Sequence, residues 1–360
     1  MQPAQLSVLT AGLASPDGAA GADLGKEVAV VDAAAFDALL HWANVERLAG
    51  LLCAALVDRS VVIGADETDQ LAALDRASES HRVALRSALA AEATAVQAVG
   101  VLKGAGIDAH VFKGLATAHL DYPNPEMRTF HDADLHVPRI DFERAIGALT
   151  AEGFRKSPTA LSPRWERRFA RACELRSPDG VELDLHAAVA TGYFGAVLDH
   201  DRLRTAPEHV SLGGEVVPVF SLPGRALISC YGVVLSRGPG LRLRRDLVQQ
   251  FDRIGDRWGE VVELGGAAGG AVIAEATATL AATFGPGRVR SDLAAWASTL
   301  EPDRRAGRAL ELAQQGVTSG WSADARSAMM ALGVHDRLRF GTGVAAARVR
   351  RELRRRRALG

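Results

Sequence analysis

The run His131-Asp132-Ala133-Asp134-Leu135-His136-Val137 alternates without interruption, and a period of two is the signature of a strand. Ala133, Leu135 and Val137 then share one face, and Asp132 and Asp134 share the other. A chain containing this segment must build a sheet with an apolar side to bury and a doubly acidic side to keep solvated or paired. Just upstream, Val111 and Phe112 read as the end of a short buried strand, Lys113-Gly114 as a tight turn, and Leu115 to Leu120 as the first turns of a helix. That order suits phosphates. Glycine lets a backbone approach closely, the first N–H groups of a helix lack partners of their own, and a lysine supplies the opposing charge.

The chain has 360 residues, 48% hydrophobic and 24% charged, which leaves room for two or three domains around a sizeable core. A formal net charge of -1 gives no global drive towards nucleic acid or an anionic membrane. The three cysteines, Cys53, Cys173 and Cys230, lack metal-ligand spacing, so a reduced, cytoplasmic setting is expected. No positive region precedes the weakly apolar N-terminus, and no run reads as long enough for a membrane span, so neither export nor a membrane partner is expected.

The organisation expected along the chain has five parts. Residues 1–25, rich in Ala, Gly, Ser and Pro, read as a mobile leader, and residues 26–104 as an N-terminal helical domain with apolar residues three and four apart. Its last helix should end near Gly104 or Gly106 and run directly into the first strand of the site. Residues 105–222 form the central α+β core: the acidic strand, a helix after an Asp141 cap, and two hairpins. The first hairpin turns at Ser177-Pro178-Asp179-Gly180 and the second at Gly213-Gly214. Residues 223–345 read as a C-terminal helical domain, broken between helices at Gly265-Gly266 and Gly269-Gly270, and residues 346–360 as a basic tail.

The second arm of the first hairpin carries a third acid. Alternation puts Glu182, Asp184 and His186 on the face opposite Val181, Leu183 and Leu185. Carboxylates on neighbouring strands suit Mg²⁺, or Mn²⁺, hard cations that take oxygen ligands from one or two carboxylates and from substrate phosphates. In two-metal phosphoryl chemistry Asp132 and Asp134 could bridge the ions while Asp184 holds the ion beside the acceptor and helps to take its proton. Lysine occurs only four times, against a background of arginine, which gives Lys113 added weight as a phosphate ligand. Arg128, four residues before Asp132, offers a forked second phosphate contact. His131, His136 and His186 raise zinc as an alternative, but their spacing gives no closed tetrahedral set.

Taken together, Lys113-Gly114, Tyr122-Pro123, Arg128, Asp132-Ala133-Asp134-Leu135 and Glu182-Leu183-Asp184-Leu185-His186 resemble the uncharacterised nucleotidyltransferases of the DNA polymerase β-like superfamily, over roughly residues 85–250. The resemblance implies a small mixed sheet with helices packed on it, flanked by helical regions. It also implies Asp132, Asp134 and Asp184 as metal ligands, and Lys113 with Gly114 as triphosphate binders. The superfamily places a glycine-serine turn before the DxD strand, where this chain has lysine-glycine.

The expected activity is transfer of a nucleoside monophosphate, AMP by default, from an NTP such as ATP to an acceptor, with release of pyrophosphate. The competing readings are a non-catalytic nucleotide-binding or interaction protein that keeps the fold, and a kinase that uses the same metal site on the γ-phosphate. The acceptor is open among a small molecule, a peptide, a protein and tRNA. Arg242, Arg244, Arg245 and Asp246 open a helix that looks across the cleft or simply faces solvent. The seven arginines between Arg348 and Arg357 read as a frayed basic terminus, so nucleic acid is not the favoured acceptor.

Overall fold

The computed structural model describes residues 12–13, 29–64, 66–236, 240–319 and 321–359. The N-terminal region holds helices Ala33–Val45 (α1) and Ala49–Val57 (α2), together with a parallel pair of short strands, Ala29–Val31 (β1) and Val61–Ile63 (β2). Asp32 caps α1 by accepting from the Ala35 amide at 2.8 Å. The strand pair departs from the all-helical expectation: three residues per strand are too few to set up a period that a sequence reader can detect. Leu13 departs from the leader expectation as well, because it is buried with Phe36 and Leu39. Apart from residues 12–13, the stretch 1–25 lies outside the described residues.

Helix α3, Glu67–Gly104, spans 38 residues, about 57 Å at 1.5 Å per residue. Its N-terminal half packs Ala73 and Ala77 into the N-terminal core, and its C-terminal half packs Ala88, Ala91, Ala95, Ala98 and Leu102 beneath the central sheet. Alanines along this face let the helix lie close to the strands. It ends as expected at Gly104, and Gly106 turns the chain with φ of +68°.

The central sheet has seven strands. In chain order they are His110–Val111 (β3), Asp132–His136 (β4), Arg155–Lys156 (β5), Ala172–Arg176 (β6), Glu182–His186 (β7), Glu208–Leu212 (β8) and Glu215–Val219 (β9). Their spatial order is β5-β6-β7-β4-β3-β9-β8, with β4 parallel to β7, β3 parallel to β9, and the other pairs antiparallel. The sheet is therefore mixed and the fold α+β. Ala133, Leu135, Leu183 and Leu185 are fully buried on the face that meets α3. Both predicted hairpins form: Gly180 sits at φ of +84°, and Gly213 and Gly214 at +56° and +89°. The helix Phe142–Ala151 also forms, but Asp141 does not cap it. The Asp141 carboxylate accepts from Arg144 at 2.7 Å instead.

Helix α4, Lys113–Asp121, follows β3 directly. Farther on, helix Pro163–Phe169 (α5) precedes β6, and the C-terminal region packs Leu222–Leu235 (α6), Leu241–Ile254 (α7) and Gly259–Phe284 (α8) into one apolar core. The break predicted at the glycine pairs is a kink inside α8 at Gly266, φ 58° and ψ -164°. By length and composition the stretch Leu241–Phe284 reaches what a bilayer crossing requires, an 18-residue window within it having a mean hydropathy of 1.3, contrary to the sequence reading. Val272, Ile273, Ala276 and Leu280 of that stretch are buried in the C-terminal core, as in a core helix. The last helix, Val334–Leu359 (α9), carries the arginine run as continuous helix. It docks on α5: the Trp165 indole N–H donates to the Phe340 carbonyl at 3.2 Å, and a Cβ on Gly343 would lie 2.1 Å from Trp165.

Candidate active site

Parallel pairing of β4 with β7 sets Asp134 opposite Asp184 and Asp132 opposite Glu182, all on the sheet face away from α3. The Phe112 amide donates to the Asp134 carbonyl at 3.1 Å, which fixes the turn after β3 against the middle of the acidic strand. Lys113 begins α4 in the left-handed region, at φ of +52°. Such a conformation costs a non-glycine residue about 1–3 kcal/mol and persists only where its surroundings hold it. The side chain shows what it gains: Lys113 Nζ donates to Asp134 Oδ1 at 2.6 Å and stands 3.3 Å from His186 Nε2. Gly114 is required by packing as well as by its place in the turn, since a Cβ there would stand 2.8 Å from Phe130 Cβ.

The acids are not equivalent. Burial, then the adjacent Asp134 carboxylate, pushes Asp184 up to about 7. Burial also acts to raise Asp134, but the Lys113 ammonium and the hydrogen bond from His186, 3.0 Å away, outweigh it and hold the group below the usual carboxylate range. Asp132 is held well below that range despite burial, because His131 Nδ1 lies 3.2 Å away and Arg47 Nη1 3.5 Å away. Burial and the Lys113 charge lower His186, which keeps its imidazole neutral at pH 7 and available as a ligand.

Asp134, Asp184 and His186 place one donor atom each within 4.8 Å of one another. Two carboxylates and a neutral imidazole are a donor set suited to a divalent cation, and the Asp134 repulsion that adds to burial in raising Asp184 is one that a cation would relieve. His186 is a candidate ligand absent from the set expected from the sequence. It was weighed only for zinc, although its position two residues after Asp184 puts it on the same strand face. Asp132 lies on the cleft wall beside this triplet, with its carboxylate turned to His131 and Arg47.

Arg128 lies on the cleft wall too, but its guanidinium fork is engaged elsewhere. Nε and Nη2 each donate to Asp246 at 2.9 Å, and Nη1 donates to the Thr129 carbonyl at 2.7 Å. Tyr122 OH donates to the same Asp246 at 2.7 Å, and both members of the ion pair are almost wholly buried. The phosphate contact expected of Arg128 thus gives way to a tie between the sheet and α7. The expected segment Arg242 to Asp246 does face the cleft through Arg242, while Arg245 is buried over the Tyr122 ring, 4.9 Å from its centroid.

Lys113, Gly114, Asp132, Asp134 and His186 line one cleft of about 680 Å³, with Asp184 just behind Asp134 and His186 rather than in the lining itself. One end is polar, with Lys113, Asp132, Asp134, Arg47 and Arg242. The other is walled by Leu161, just before α5, by Trp165 and Phe169 of α5, and by Phe340 of α9. It is large enough for a nucleotide and part of an acceptor.

The antibiotic-resistance factor ANT(2'')-Ia, known from a solution structure, is 16% identical, over 51% of this chain and 90% of that one, with a TM-score of 0.34. A crystal structure of an antigenic nucleotidyltransferase-like protein from Paracoccidioides brasiliensis is 17% identical, over 59% and 93%, with a TM-score of 0.36. Comparison with the curated proteins finds no match. Residues 32–284 match the family described as uncharacterised nucleotidyltransferase, a span wider than the sequence motifs alone. Because that span takes in α1 through α8 with the whole central sheet, the Lys113-Gly114 turn and all three aspartates, the chain belongs to the uncharacterised nucleotidyltransferase family of transferase enzymes.

Proposed function

We propose that the protein transfers a nucleoside monophosphate, AMP by default, from an NTP to an acceptor hydroxyl, phosphate or carboxylate, using Mg²⁺. The observation that carries this reading is the register of β4 with β7, which sets Asp134 beside Asp184 next to a strained Lys113-Gly114 turn. Lys113 and the N-terminus of α4 hold the triphosphate. Asp134, Asp184 and His186 hold the cation, with Asp132 beside them. When bound, Mg²⁺ supplies charge neutralisation at the phosphoryl oxygens.

In the step itself an acceptor oxygen forms a bond to the α-phosphorus while the bond from that phosphorus to the bridging oxygen of the β-phosphate breaks, and pyrophosphate leaves. The acceptor proton passes to an Asp184 carboxylate oxygen. The apolar end of the cleft, which includes Ala172 of β6 next to the Asp184 strand, receives the acceptor body. Parallel incubations with α-labelled and γ-labelled ATP, Mg²⁺ and a cell-extract acceptor pool test the reading. Label from the α-position should move to acceptor, and transfer of the γ label alone would establish a kinase instead.

A further inference from the structure

Two cations of the cleft have no role in the motifs described above. Arg47 comes from the turn between α1 and α2, and Arg242 from the first turn of α7, far from each other and from Lys113 in sequence. Both line the polar end of the cleft. Among the described residues Arg242 has no carboxylate within ion-pair range, and its buried Nε has no hydrogen-bond partner. Arg47 reaches one carboxylate, Asp132 at 3.5 Å, which it shares with His131. Of the other cleft cations, Lys113 is matched by Asp134, Arg128 by Asp246 and Arg225 by Asp121, while Arg171, next to Ala172 in the lining, has no carboxylate within ion-pair range among the described residues.

Both guanidiniums lie in the field of Arg128, and the Arg47 charge also acts on Arg242. Burial first, then the charges of Arg128 and Arg47, lowers Arg242 to about 10. Burial and the Arg128 charge lower Arg47, against the pull of Asp132. Arg47 is held at φ of +59°, so its approach to the cleft is sustained against backbone preference. Two partly buried forked donors lining one cavity, one of them with an unpartnered Nε, call for a multivalent anion with several acceptor oxygens.

We infer that Arg47 and Arg242 form a second anion subsite that takes the terminal phosphates of the nucleotide substrate. This rests on the nucleotidyl-transfer reading and deepens it. The pair adjoins Asp132 at the start of β4, whereas the apolar end of the cleft adjoins β6, the neighbour of the Asp184 strand. A triphosphate running from the Lys113-Gly114 turn towards Arg242 would therefore lead away from the acceptor. The subsite draws one residue from the N-terminal helical region and one from the C-terminal helices, so the triphosphate binds where three parts of the chain meet.

Calorimetric titration of the full chain with ATP, inorganic tripolyphosphate and AMP, each with Mg²⁺, separates the possibilities. Arg242→Gln should weaken ATP and tripolyphosphate by about ten- to a hundredfold, the loss of one hydrogen bond to a charged group, while AMP changes little. Arg47→Gln should act in the same direction, and Arg242→Lys should recover part of the loss. Melting temperatures of each variant show that it is folded, and Arg47→Gln serves if Arg242→Gln is not. Unchanged tripolyphosphate affinity in a folded variant, or an equal loss for AMP, would overturn the subsite while leaving nucleotidyl transfer intact. Failure of the wild-type chain to bind either polyphosphate would overturn the transfer reading itself, and the subsite with it.

Discussion

The Arg128–Asp246 pair offers the sharpest separation of structure from chemistry, because Arg128 stands on the cleft wall and yet has its fork turned away from it. Its side chain is 4% exposed and that of Asp246 is 3% exposed. Asp246→Ala would leave a buried guanidinium uncompensated and deprive the Tyr122 hydroxyl of its acceptor. Breaking a buried pair from one side costs roughly 3–5 kcal/mol. At about 2 °C per kcal/mol for a long chain, the melting temperature should fall by on the order of 6–10 °C. The double variant Arg128→Met with Asp246→Leu removes both charges and fills similar volume, and such replacements are often neutral or stabilising. It should therefore regain most of the loss, and its ATP affinity should stay near wild type. Scanning calorimetry and ATP titration on the single and double variants provide the cycle. If the double variant melts like wild type but loses ATP affinity by tenfold or more, Arg128 contacts phosphate directly and the reasoning fails.

Other consequences of the site geometry can be measured separately. Asp184→Asn should keep nucleotide affinity near wild type while single-turnover transfer falls by on the order of a thousandfold, since the interaction lost is realised mainly in the transition state. With a chelator present, the same variant should alter the pH response. A carboxyl whose folded value is about 7 stabilises the protein while protonated and loses that contribution as pH rises from its ordinary 3.8 through 7, so the wild type should melt progressively lower across that window and Asp184→Asn should not. Equal pH slopes would contradict this. Lys113→Met removes the ammonium now seated on Asp134, so Mn²⁺ alone should bind more tightly by titration, whereas ATP should bind more weakly; weaker Mn²⁺ binding would count against the assignment. Gly343→Ala forces a Cβ into Trp165 and should free α9 from α5, seen as faster hydrogen exchange over residues 334–350, with the central sheet unchanged.

What the sequence made legible was what local periodicity encodes. Alternation alone placed Asp132, Asp134 and Asp184 on one face of the sheet, and glycines marked the turns at Gly106, Gly180 and Gly213-Gly214 that take positive φ. The features it did not reveal depend on pairing across long separations. Arg128 was read as a phosphate donor because its partner, Asp246, lies 118 residues away on a helix whose orientation no periodicity reveals. His186 stood in plain view on the β7 pattern, but its value as a ligand arises from burial and from Lys113, which together keep the imidazole neutral. Arg47 carried no signal at all: it follows an ordinary amphipathic helix, and only the fold brings it to Asp132.

That division has a physical consequence for how the site is assembled. The sheet and α4 supply the carboxylates, His186 and Lys113, groups that can be placed by strand register and a single turn. The guanidiniums at the polar end come from the turn between α1 and α2 and from the first turn of α7, and the Arg47 charge adds to the positive field at Arg242. The buried Arg128–Asp246–Tyr122 contact joins the sheet region to α7. It holds Arg242 at the cleft edge, one helical turn before Asp246, so that the charge is positioned before a nucleotide arrives. Preorganisation of this kind places the cost of bringing like charges together in folding rather than in binding. The fixed salt bridge and the two cleft guanidiniums are therefore parts of one arrangement.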